Sequence, residues 1–152
     1  MIRKICLGIL MIFSGIEAGG IRPKCTGCSI GKEKLQCDYY VERNGDKTHQ
    51  PECLTYAKYV DIDGAYPKAA WYYLLAGEFT RAEASARRAL KQGQAYGGEY
   101  LALALWARGE KAAAREVMKR FYRDVPAHGY VEKDLRTMAR LYPRYGFSEL
   151  RP

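Results

Sequence analysis

The chain has 152 residues, 48% of them hydrophobic, and a formal net charge of +8. That size and composition fit one small globular domain with a modest core, and the charge favours acidic partners such as an anionic membrane surface, an acidic polymer or an acidic peptide. No aromatic-basic platform and no nucleic-acid motif accompanies the scattered lysines and arginines, and the chain has two histidines but no GxSxG, phosphate loop or HExxH, so neither a nucleic-acid partner nor an enzyme is expected.

At the N-terminus, Arg3 and Lys4 precede an apolar run from Ile5 to Ile16, followed by the small residues Ala18, Gly19 and Gly20. This pattern predicts a signal peptide over residues 1–18, cleaved near Ala18 to give a periplasmic or secreted protein of net charge +7. The run falls short of the ~20 apolar residues of a comfortable membrane span, although an uncleaved anchor is a second reading of it. Residues 19–34 carry Gly, Pro, Cys25 and Cys28 and read as an irregular segment stapled to the rest of the domain.

Four cysteines remain after cleavage, Cys25, Cys28, Cys37 and Cys53, and an even number in an exported chain implies disulfides. If residues 31–60 form a helix hairpin, Cys37 and Cys53 face each other, each 8 residues from Gly45. If Asn44-Gly45 instead turns a β-hairpin, Cys37 falls opposite Glu52, beside Cys53. Both folds pair Cys37 with Cys53 and leave Cys25 with Cys28. The Cys25-Thr26-Gly27-Cys28 run also admits a redox reading, and a zinc reading with Cys25, Cys28, Cys37 and either His49 or Cys53 as ligands. The oxidising compartment and the loose spacing favour structural disulfides with no bound metal or cofactor, and Ser29 stands where covalent haem attachment needs His.

Beyond this segment, Gly45-Asp46, Gly77-Glu78 and Gly109-Glu110 recur every 32 residues. A period of that length marks a supersecondary unit copied along a stack, and it assigns residues 35–142 to a helical repeat domain. The second and third units each place an apolar stretch before the Gly and an Ala-rich amphipathic stretch after it, the pattern of an αα-hairpin. Thr80 and Glu83 read as a capping box, Gly93 as a left-handed helix exit, and Pro126 as the end of the third unit. Small residues occupy the positions of close approach: Ala70 and Ala102 before the turn, Ala57, Ala82, Ala89 and Ala114 after it. His128, beside Gly129, belongs to a loop. From Tyr130 to Tyr142 a single apolar stripe of Val131, Leu135, Met138 and Tyr142 predicts a capping helix, and residues 143–152 read as an extended tail.

The stretches GEFTRAEASARRAL and GEKAAAREVMKRFYRDVP resemble the tetratricopeptide (TPR) repeat family, best over residues 63–126; the fourth unit has Leu141-Tyr142-Pro143 in place of Gly-acid. The resemblance implies an all-α fold, a short stack of antiparallel helix hairpins forming an α-solenoid. It further implies that first helices line a groove, with Tyr39, Trp71 and Leu103 in one column and Leu74, Trp106 and Met138 in the next. Such a lining suits an apolar or amphipathic peptide, so the expected function is an exported interaction or assembly module of the cell envelope. The same rings also read as core, buried by a helix or the N-terminal segment folded back over the groove. A small thiol-disulfide or redox-sensing protein working through Cys25 and Cys28 is the alternative.

Overall fold

A computed structural model describes residues 30–152. The signal-peptide assignment and the Cys25-Cys28 pair lie outside the described residues. Among those described there are seven α-helices and no strands: α1 (Ile30–Gln36), α2 (Gln50–Ile62), α3 (Tyr66–Leu75), α4 (Phe79–Lys91), α5 (Gly97–Ala107), α6 (Lys111–Asp124) and α7 (Val131–Leu141). α1 runs on into a π-helical stretch, Cys37–Arg43, so the Asn44-Gly45 pair turns between helices and the β-hairpin reading is excluded. Residues 30–34, expected to be irregular, belong to α1.

From α1 to α6 each helix packs on the next, and α3 also touches α5. Two of the period-marking glycines end their helices in the same way. Gly77 has φ 79° and donates to the Leu74 carbonyl at 3.1 Å, while Glu78 N–H reaches the Tyr73 carbonyl at 2.9 Å. At Gly109, φ is 87°, with 3.0 Å to the Trp106 carbonyl and 2.9 Å from Glu110 to that of Leu105. This pair of bonds satisfies two orphan carbonyls at a left-handed residue, a conformation only glycine adopts without steric cost. The acid after each glycine starts the next helix: Glu78 and Glu110 are the N-cap residues of α4 and α6. Thr80 therefore lies inside α4 rather than capping it. Its expected partner Glu83 instead takes Arg87 at 2.9 Å and Arg108 from the end of α5. Pro51 and Pro67 sit in the first turns of α2 and α3, where a missing N–H costs nothing.

The helices differ in how much of their circumference is apolar, and this fixes their places. In α3 every residue from Ala69 to Leu75 is buried, and in α5 all but Tyr100 and Ala107 are, so both are central. α4 and α6 bury one stripe each, including Ala82, Ala86 and Ala89 on α4 and Ala114, Met118 and Phe121 on α6. The alanines let backbones approach closely: a Cβ on Gly97 would lie 2.7 Å from the Ala89 Cβ and 2.8 Å from the Ala86 carbonyl oxygen.

The C-terminal end departs from the extended tail expected of residues 143–152. Pro143–Tyr145 and Phe147–Leu150 form 3₁₀ turns, and Phe147 and Leu150 are buried. Three residues per turn place Phe147 and Leu150 on one side, where both meet the core.

Candidate functional site

The six residues expected to line a groove come to different places. Trp71, Leu74, Leu103, Trp106 and Met138 are all buried, Trp71 at 8% exposure and the others at 1% or less, whereas Tyr39 is 55% exposed. What buries the five is the chain itself. The stripe Val131, Leu135, Met138 and Leu141 of α7 is fully enclosed, against α3 and the π-helical stretch. At its start, Asp134 meets Glu99 in the first turn of α5. Just past its end, the Tyr142 hydroxyl donates toward the carbonyls of Leu74 (2.8 Å) and Leu75 (3.0 Å) that end α3, and accepts from Gln50 Nε2 at 2.8 Å. α7 thus runs alongside the first helices of the hairpins. Trp106 is sealed by the 3₁₀ turns: its Nε1–H donates to the Tyr145 carbonyl at 2.8 Å, and Lys111 Nζ stands 3.7 Å from the indole centroid. An open groove along both columns is therefore corrected to a groove filled by α7 and the 3₁₀ turns that follow it, because a face so apolar in so short a stack is covered most readily by the chain's own apolar stripe.

One end of that face stays open. Lys34 of α1, Pro67, Lys68, Trp71 and Tyr72 of α3, and Gln94, Tyr96 and Tyr100 around the start of α5 surround a largely apolar cleft of about 520 Å³. Trp71 and Tyr100 stand 5.8 Å apart with tilted rings, and Tyr96, 40% exposed, is tied down by a hydroxyl bond to the Ala127 carbonyl at 3.1 Å. Tyr72 is fixed by a 2.6 Å bond from its hydroxyl to Asp38, which also accepts from Lys34 at 2.5 Å. Burial, then the Asp38 carboxylate, push the Tyr72 hydroxyl far above its ordinary pKa, so it remains a donor. The sequence marked only Trp71 of this set. Tyr72, Tyr96 and Tyr100 were lost among 13 tyrosines, and only the meeting of α1, α3 and α5 singles them out.

Behind the cleft lies a buried acid pair. Glu99 is 1% exposed and Asp134 5%. Loss of solvation, reinforced by the Asp134 charge, raises the Glu99 carboxyl to about 9, while burial raises Asp134 to about 6 despite the Glu99 hydrogen bond and the Lys133 charge. Near neutrality the pair holds one proton, carried by Glu99 and donated to Asp134. Glu99 is the lone acid in the apolar run GGEYLALALWA, a signal of a buried carboxyl that the sequence offered.

Cys37 and Cys53 form a disulfide across α2 and the π-helical stretch, with Cα atoms 4.9 Å apart. Its sulfurs are fully buried in the core, which removes both from any zinc site. His49 stacks on Tyr40 at 4.0 Å between centroids, and His128 on Tyr122 at 4.2 Å, in the loop position expected for it. Among the described residues no group of three or more His, Cys, Asp or Glu side chains is placed to hold a metal ion, and no helix is long and apolar enough to cross a membrane.

Compared with protein-family models, curated proteins and solved structures, the chain matches none.

Proposed function

We propose that the protein is an exported, TPR-like interaction or assembly module of the cell envelope, without catalytic activity or cofactor. It binds a protein or peptide segment in the aromatic cleft between α1, α3 and α5. The repeat reading is supported by helix pairs that turn at Gly45, Gly77 and Gly109, each with positive φ. The single observation that carries the binding site is the cleft itself, with Trp71, Tyr72, Tyr96 and Tyr100 around one opening. Aromatic walls provide contact area at low entropic cost, and Lys68 at the rim together with the positive net charge favours a segment bearing carboxylates.

A photo-crosslinking residue in place of Tyr96, expressed in the exporting host, tests this. One discrete adduct is expected, weakened by Lys68→Glu and absent when the crosslinker replaces Lys119 on α6. Equal adducts from both positions, or none from Tyr96, would remove the cleft as the binding site.

A further inference from the structure

On the other side of the Lys34–Asp38–Tyr72 chain lies a second cleft, of about 540 Å³, between the π-helical stretch and α7. Four cations line it, Arg43, Lys133, Arg136 and Arg140, against two carboxylates, Asp38 and Glu42. Both carboxylates are already engaged. Asp38 accepts from Lys34 at 2.5 Å and from the Tyr72 hydroxyl at 2.6 Å, and Glu42 accepts from Lys133 at 2.7 Å. Arg140 donates to the Glu42 backbone carbonyl, its side chain lying 3.4 Å from where a Cβ on Gly45 would be. That leaves Arg43 and Arg136, both exposed, with no carboxylate partner among the described residues. Thr137 of α7 stands on the cleft wall, 5% exposed. Two guanidinium groups without a carboxylate partner on the walls of one cleft ordinarily find an anion.

The geometry points to a binding site for a phosphate monoester, with the guanidinium forks of Arg43 and Arg136 on its oxygens and the Thr137 hydroxyl as a further donor. The charge selects the group. The cleft carries two more cations than carboxylates, and a phosphate monoester brings a charge of roughly −1.5 to −2 at neutral pH, whereas a single carboxylate would leave it half compensated. Arginine forks also match phosphate oxygens in bidentate geometry. The volume exceeds that of a bare ion and falls in the range of small-molecule sites, so the ester's organic part has room beside Arg140. This site is independent of the aromatic cleft.

The test titrates the ¹⁵N-labelled, disulfide-bonded protein with glycerol 3-phosphate at constant ionic strength, and in a parallel arm measures binding to vesicles containing phosphatidic acid. Saturable shifts at the Thr137 amide and at the Arg43 and Arg136 side-chain N–H groups are expected. The double variant Arg43→Gln/Arg136→Gln should bind at least about tenfold more weakly, the loss of one charge-assisted hydrogen bond or more. The charge-matched control Lys91→Gln/Arg120→Gln, on α4 and α6, should change affinity less than about twofold. All four residues are exposed, so both variants fold. Binding of vesicles that depends on Arg43 assigns the site to a lipid head group, and binding of the soluble ester alone assigns it to a free phosphate ester. Unsaturable shifts, equal weakening in the control, or no binding in either arm overturns the site.

Discussion

Glu99→Gln is the sharpest probe of how α7 is held over the stack. Folding buries the Glu99 carboxyl to 1% exposure and raises its pKa from 4.5 to about 9. Between those two values the unfolded chain has lost the proton that the folded protein keeps. The folded state thus binds more protons, and its stability falls as pH rises. Below pH 4.5 the contribution is complete; it declines from there and is exhausted above about 9. Asp134, raised to about 6, adds a decline in the same direction that ends near that pH, so above it the slope belongs to Glu99. Each pH unit in the window corresponds to about 1.4 kcal/mol, so at pH 7 the penalty is about 3 kcal/mol. A glutamine keeps the donor toward Asp134 and has no proton to lose. Urea unfolding at pH 6, 7 and 8 should find the variant more stable than the parent, with a gap that widens by about 1.4 kcal/mol per pH unit. A constant gap, or none, would mean that Glu99 is ionised in the folded protein and that the single shared proton is wrong.

Trp106→Ala should cost about 3–5 kcal/mol by urea unfolding, because it empties a core position and leaves the Tyr145 carbonyl with Lys111 as its remaining donor; near-native stability would return Trp106 to an open surface. Gly97→Ala should cost about 1–3 kcal/mol in the same assay, since its Cβ meets backbone and methyl atoms of α4 inside 3 Å, and an unchanged midpoint would mean that α4 and α5 pack less closely. Reducing Cys37–Cys53, whose partners are 16 residues apart, should lower stability by about 3 kcal/mol from loop-closure entropy, read as a shift in midpoint with and without reductant; no shift would mean that the bond is absent in solution.

Much of the helical stack was legible because its signals are local. Gly77 and Gly109 each need a left-handed backbone to close the same pair of turn bonds, and an acid follows each to start the next helix. A repeated steric requirement leaves a repeated residue. The alanines at 57, 70, 82, 89, 102 and 114 were legible for a similar reason: a close helix crossing admits only small side chains, and all six are fully buried. Cys37 with Cys53 followed from the turn at Gly45 alone. The capping box at Thr80 was misread because the Gly-acid turn had already fixed the helix start two residues earlier. The C-terminal turns were missed because Phe147 and Leu150 show no period longer than a single 3₁₀ turn.

Local signals were enough for the helical hairpins, the places where they turn, and the disulfide between Cys37 and Cys53, since each depends on residues within a turn or a hairpin of one another. What lies on the first-helix face was settled at the tertiary level alone. Periodicity tells that the stripe on α7 must be buried, yet many apolar faces would satisfy it equally, because the hydrophobic effect has no direction. The choice was made by contacts far apart in the chain: Asp134 with Glu99, and Tyr142 with Leu74 and Leu75. Those contacts bury Met138, leave the Trp71–Tyr100 cleft open and bring Arg136 into one cleft with Arg43, and the 3₁₀ turns that follow α7 seal Trp106.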